Sequence, residues 1–442
     1  MSPTIVADAL AAAFLDGAWS APALARRGAR ALGQSTRWLP ALARRVVAAF
    51  PDGAPRDRFE ALATLLARDA AVRKAGRPDA PWRLVITAPT LAMRDAHPEW
   101  RLPRLHTAGD LATWLGLEIG DLLWFADTRG LSRRRRAVAL DHYHRRWLPK
   151  RSGGARLVEA PKRWLKEVQR RILRELVERI PPHEAAHGFR RRRGVLSHAA
   201  LHAGRDVVLR MDLEDFFVSI PASRVFAVFH AAGYPLEVAR LLTGLCTTRA
   251  PSDPGAPMPA TPTRAELEAR HRARERYAER HLPQGAPTSP ALANLCAWRL
   301  DVRLSAAART AGAVYTRYAD DLVFSGDDRF ARWPAARFAY VVGGIAIEEG
   351  FNVQHRKTKL MRAGTRQQVT GLVVNRSAAI PRRDFERYKA ILHNCVLTGP
   401  DRQNRDGRPD FRAHLEGVVA WVTHVQPARG AKLAKLLDAI RW

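Results

Sequence analysis

Cysteine is scarce in this 442-residue chain: Cys246, Cys296 and Cys395 lie far apart, and none has CxxC spacing. That excludes a disulfide framework and a cysteine-built zinc site, and it predicts ordinary buried thiols in a reducing cytoplasm. Long apolar runs are also missing. No stretch of about twenty uninterrupted apolar residues occurs, so no membrane span is expected. The apolar segment Ile5–Leu15 carries Asp8 and lacks a basic segment before it, so it is not expected to be a signal peptide. Acidic residues are outnumbered, 43 Asp and Glu against 73 Lys and Arg, which leaves a formal net charge of +30. Such an excess repels itself and implies a polyanionic partner whose binding weakens with salt. Arg133–Arg136 and Arg190–Arg193 are the densest basic runs.

Against that background, paired acids stand out. Tyr318-Ala319-Asp320-Asp321 lies between Ala313–Arg317 and Leu322–Gly326, two short runs rich in β-branched and aromatic residues. The pattern predicts a hairpin with Ala319-Asp320 at its turn. Two adjacent carboxylates repel each other. By themselves they are also compatible with an Asp-rich surface turn. A second strand-like run, Val207–Met211, ends in Asp212. Neighbouring strands would bring Asp212, Asp320 and Asp321 together as a hard oxygen site suited to Mg²⁺ rather than zinc.

In order along the chain, Asp212, Leu282-Pro283-Gln284-Gly285-Ala286-Pro287-Thr288-Ser289-Pro290 and Tyr318-Ala319-Asp320-Asp321 resemble the palm motifs of reverse transcriptases. The resemblance covers roughly residues 105–440. It implies an α+β right-hand polymerase: fingers, a palm with an antiparallel sheet, and a helical thumb. It further implies two Mg²⁺ ions, with Mn²⁺ able to substitute, held by Asp212, Asp320, Asp321 and the backbone carbonyl of Leu213. Incoming deoxynucleoside triphosphate (dNTP) would meet Lys150 and Arg156 on a fingers hairpin, Phe217 against the sugar 2′ position, Gln284 under the base pair, and Lys357, with Lys359 as its rival.

Two further motifs are similar to those of bacterial retron reverse transcriptases. Val369-Thr370-Gly371 matches their Val-Thr-Gly, and His198-Ala199-Ala200-Leu201-His202 matches their Asn-Ala-x-x-His except at the first position. Taken without that context, two histidines four apart suggest a metal pair, but no third ligand lies near in the sequence. By the resemblance, Arg190, Arg191, Arg192, Arg193, His202, Val369, Thr370 and Gly371 would contact RNA. The expected partners are a cognate structured noncoding RNA serving as template and primer, its cDNA product, dNTPs, and an effector or toxin protein. The expected product is a short DNA joined to an RNA 2′-hydroxyl, made within an anti-phage defence system. The departure at His198 keeps a second reading open: a group II intron-like or other defence reverse transcriptase with different priming. A catalytically silent RNA-binding protein is a third, and the intact acid triad argues against it.

The remaining expectations concern organisation. Residues 1–103 predict a helical N-terminal extension, with helices around Leu39–Phe50 and Phe59–Leu66 parted by Pro51-Asp52-Gly53 and a strand within Trp82–Thr90. Thr107–Asp110 has capping-box form. Residues 104–380 would be fingers and palm, with a Pro-rich, charged insertion at about 248–281, and 381–442 a basic helical thumb. Lys162–Ile180 predicts a helix packing Trp164, Leu165, Val168, Ile172 and Leu176. Phe338–Gly350 predicts another, followed by a strand opening at Phe351-Asn352-Val353.

Overall fold

The computed structural model describes the chain apart from residues 1–2, 56–58, 77–92, 94–96, 129, 131–140, 150–154, 251–263, 265–267, 269–270 and 272–274. The strand expected within Trp82–Thr90, the run Arg133–Arg136, Lys150 and the Gly153-Gly154 turn lie outside the described residues. The chain forms two compact units, Met1–Pro181 with Phe217–Cys296, and Pro182–Phe216 with Ala297–Trp442.

The first unit opens with five helices: α1 (Pro3–Leu15), α2 (Ala21–Ala31), α3 (Leu39–Ala49), α4 (Phe59–Arg68) and α5 (Ala70–Ala75). α1 is apolar on nearly every side, so it becomes the central helix, with Val6, Leu10, Phe14 and Leu15 fully buried. Arg27 donates to the last-turn carbonyls of α1 at Ala13 and Phe14 and to the Ala18 carbonyl just beyond it. Leu39, Leu42, Val46, Phe59, Leu62 and Leu66 join this core at the helical spacing the sequence shows.

Further along, Thr107 caps α6 (Ala108–Leu115) in a complete capping box with Asp110, and α7 (Ile119–Ala126) follows. Strands β1 (Tyr143–Pro149) and β2 (Ala155–Pro161) pair antiparallel, placing Arg156 opposite Leu148. Glu159, with no solvent exposure, is matched by Arg145 at 3.0 Å and His281 at 2.8 Å. Helix α8 (Arg163–Glu175) buries Leu165, Val168 and Ile172. Trp164, expected in that face, is instead 72% exposed. It sits one position off the buried stripe, at the edge where the basic face begins. Within the expected insertion, Tyr277 is buried with Leu157, Val218 and Ala250.

The second unit holds a four-stranded antiparallel sheet in the order β4 (Val314–Tyr318), β5 (Asp321–Gly326), β3 (Val207–Asp212), β6 (Lys359–Arg362). Helix α9 (Val195–Ala200) precedes β3, α10 (Trp298–Ala311) precedes β4, and α11 (Ala335–Glu348) follows β5. Every residue of β5 is buried, as expected of an inner strand covered on both faces. The strand expected to open at Phe351 does not form. Val353 makes a single bridge to Leu213, and β6 begins at Lys359, where the main chain can ladder with Val207–Arg210. A small hairpin, β7 (Gln368–Val369) and β8 (Leu372–Val373), leads to α12 (Arg382–Thr398), α13 (Phe411–Val425) and α14 (Pro427–Asp438). Leu392, Leu415, Val422 and Leu433 of these helices share one core with Val369, Leu372 and Val374.

Candidate active site

The three acids meet at one end of the sheet. Asp212 closes β3 and is register partner to Asp321, which opens β5, so their carboxylates lie on adjacent strands. Asp320 sits in the two-residue turn joining β4 to β5, and its carbonyl accepts from the Leu213 N–H at 2.8 Å. Ala319, the first turn residue, has φ +57°, and Asp320 is not in that region. This is the pattern of a turn that favours glycine at its first position, so alanine there is held at a cost of about 1–2 kcal/mol.

Clustered charge governs the electrostatics. Asp212 and Asp321 are 8% and 6% exposed. Burial, then the neighbouring Asp212 carboxylate, raises the Asp320 pKa above its ordinary value. Burial also pushes Asp321 up to about 6, although Arg210 opposes the shift. Two cations offset the repulsion. Lys357 Nζ lies 2.7 Å from Asp212 Oδ1, and Arg210 Nε lies 2.7 Å from Asp321 Oδ1. Lys357 is positioned because the Gln354 N–H donates to the Asp212 carbonyl at 2.7 Å, bringing the turn His355–Lys357 beside the strand end.

Behind the hairpin lies a buried histidine network. His202 contacts Ser325 Oγ at 2.7 Å and Thr316 Oγ1 at 2.6 Å, and His198 Nδ1 contacts Thr316 Oγ1 at 3.1 Å. His198 Nε2 is buried without a hydrogen-bond partner. A bare ring lone pair is cheaper to bury there than an N–H. Nδ1–H of His198 then donates to Thr316, Thr316 to His202, and His202 to Ser325. Burial lowers both pKa values, to about 2 for His198 and about 3 for His202, so both rings are neutral. Gly188 closes the turn from another side: a Cβ there would lie 2.7 Å from the Ala319 nitrogen.

An all-carboxylate donor set with excess negative charge suits hard divalent ions. Lys357 pairs with Asp212 and Arg210 with Asp321, so the side chains are held apart by their cations, and among the described residues no three His, Cys, Asp or Glu side chains are drawn together as a closed cage. This holds for His198 and His202 as well.

Comparison with known proteins decides the family. Residues 148–378 match the family described as reverse transcriptase (RNA-dependent DNA polymerase). The chain is 39% identical to the Retron Mx65 reverse transcriptase of Myxococcus xanthus, covering 76% of this chain and 72% of that one. It is 38% identical to the Retron Mx162 reverse transcriptase of the same organism, over 76% and 68% of the two chains. The Retron Ec86 reverse transcriptase of Escherichia coli is 31% identical, over 64% and 76%. The chain belongs to the retron reverse transcriptases. It is an RNA-directed DNA polymerase with the right-hand fold of that class, preceded by a helical N-terminal region. It works with nucleic acid template and product, and its class depends on divalent metal. No described helix of the enzyme is long and apolar enough to cross a membrane.

The other expected site residues fall in several places. Arg156 is exposed on β2. The Gln284 carbonyl accepts from Glu159 N–H at 2.8 Å, which fixes the Gln284-Gly285 backbone on β2. Phe216 is 3% exposed and packs on Phe351, whereas Phe217 is half-buried. The arginine run divides: Arg190 and Arg193 both pair with Glu184, while Arg191 and Arg192 are exposed. His202, expected at an RNA surface, is fully buried. Val369 is buried in β7, and Thr370 and Gly371, at φ +44° and +89°, form the β7–β8 turn. Lys357 reaches the acids, with Nζ 2.7 Å from Asp212, whereas Lys359 stands in β6 in register with Arg210. Arg210 and the buried pair Arg317–Asp301 escaped the sequence reading. Arg210's place two residues before Asp212, hence on the same strand face, was the available signal for the first.

Proposed function

We propose that Asp212, Asp320 and Asp321, with the Leu213 carbonyl, hold two Mg²⁺ ions, Mn²⁺ being able to substitute. With them the enzyme copies part of a cognate structured noncoding RNA into short single-stranded DNA. The observation that carries this reading is the Asp212–Asp321 strand pair with Asp320 in the adjoining turn. Bound there, the ions supply Lewis-acid activation of the primer hydroxyl and neutralise charge on the transferring phosphate. The chain's own residues do the rest. Lys357 and Arg210 balance the carboxylates until substrate arrives, and Lys357 then meets the triphosphate. Lys150, Arg156, Phe217 and Gln284 orient the dNTP, with Phe217 excluding a ribose 2′-hydroxyl.

By its likeness to retron enzymes, synthesis starts from an RNA 2′-hydroxyl and leaves a branched RNA–DNA hybrid. The enzyme acts in the cytoplasm within an anti-phage system that includes an effector or toxin protein. Residues 104–380 serve as fingers and palm with the insertion at about 248–281, and 381–442 serve as an RNA-gripping thumb after the extension 1–103. Arg190–Arg193 and the Thr370-Gly371 turn contact that RNA.

The test is the nucleic acid that co-purifies when the gene is expressed with its native flanking DNA. On a denaturing gel, a discrete short DNA whose mobility shifts after RNase and after debranching treatment is expected. Unbranched DNA of mixed length, or RNA alone, would refute the priming reading.

A further inference from the structure

Arg317 stands in the middle of β4, between Thr316 and Tyr318, and has no solvent exposure. A buried guanidinium needs a matched partner. Its Nε and Nη2 donate to the two carboxylate oxygens of Asp301 on α10, at 2.8 and 2.7 Å. The Tyr315 hydroxyl donates to the same carboxylate at 2.8 Å. Nη1 turns the other way and donates at 3.0 Å to the carbonyl of Ala319. That peptide carries the left-handed residue immediately before Asp320.

We propose that Arg317 is a positioning residue for DNA synthesis. Braced by Asp301, it holds the Ala319 peptide in the conformation that sets Asp320 in the turn and Asp321 opposite Asp212. Gly188 is the opposing wall, since any side chain there would strike the backbone of Tyr318 and Ala319. The main chain adds a third restraint, because Arg317 N–H donates to the Ala185 carbonyl and its own carbonyl accepts from His187 N–H, both at 2.8 Å. Packing alone does not call for this arrangement, as a buried ion pair can often be replaced by apolar residues without loss of stability. A link from a rigid helix to one strained carbonyl is what apolar residues could not supply.

The inference rests on the reading of the three aspartates as the catalytic acids, so Asp320→Asn is run in parallel. Synthesis surviving in that variant would overturn the aspartate reading itself, whatever the clamp does. The clamp is tested in the full-length chain bound to RNA by the apolar replacement Arg317→Met/Asp301→Leu/Tyr315→Phe, with Arg317→Lys as second variant. Lysine keeps the charge but lacks the fork that spans Asp301 and Ala319 together. The expected result is a folded, RNA-binding protein with kcat down about 100-fold in the apolar replacement, as for a misplaced reacting group. KM for dNTP should stay nearly constant, and the Mg²⁺ concentration for half-activity should rise. Adding Ala319→Gly should return part of the lost kcat, because glycine takes the positive φ without steric cost. A loss of packing alone would give no such rescue. If either clamp variant folds and keeps kcat and Mg²⁺ half-activation within about twofold of the parent, the proposal is overturned.

Discussion

Acid should loosen this protein through two buried rings. His198 and His202 are neutral in the folded chain, with pKa values near 2 and 3, but titrate near 6.5 when unfolded. Below pH 6.5 the unfolded chain binds protons that the folded chain refuses, so stability falls as pH falls. Between pH 7.5 and 5 the loss is about 2 kcal/mol for each ring, or about 4 kcal/mol together. Asp321 works in the opposite direction. Its folded pKa of about 6 lies above the ordinary carboxylate value, so the folded state takes up a proton first and gains about 1 kcal/mol at pH 5. For these three groups together the loss is about 3 kcal/mol. His187, Arg205 and Arg210 face the rings and add to the depression of their pKa values. Urea unfolding of the metal-free protein across this range, read by tryptophan fluorescence, measures the slope. The double variant His198→Gln/His202→Gln should lose about two protons' worth of that slope, roughly 3 kcal/mol per pH unit near pH 5. Parallel slopes in parent and variant would refute the reasoning.

Three other outcomes follow from the geometry. Lys357→Ala removes the cation beside Asp212 and should lower the rate of single-nucleotide addition about 100-fold, with RNA affinity unchanged in a filter-binding assay. Gly244→Ala would put a Cβ 2.2 Å from the Ala126 carbonyl oxygen, so the thermal transition should drop by the equivalent of about 3 kcal/mol or more. With a net charge of +30, RNA affinity should fall about a thousandfold between roughly 0.05 and 0.2 M salt, seen as a steep linear log–log plot.

The hairpin that carries the acids was legible because β-branched and aromatic flanks around a two-residue turn admit few alternatives. The capping box at Thr107 and the helices of the N-terminal core were legible for similar local reasons. Arg317 was not. In sequence it is one basic residue in an apolar strand, and its meaning depends on Asp301, sixteen residues earlier on another element. His198 and His202 share that fate: their spacing suggests a metal pair or an RNA surface, whereas their partners, Thr316 and Ser325, are more than a hundred residues away. Trp164 misled because helical spacing identifies a face only to within a residue at its edge. Phe351-Asn352-Val353 looks like a strand by composition, yet register with β3 is what decides pairing, and Lys359–Arg362 holds that register.

The most direct measurement compares the parent with Asp320→Asn/Asp321→Asn, which changes each carboxylate to an amide of nearly the same shape. RNA-templated incorporation of dNTP and binding of the same RNA are read on one preparation. The account predicts that incorporation is abolished while RNA affinity stays within about twofold of the parent. Incorporation persisting at the parent's rate in the folded variant would contradict it.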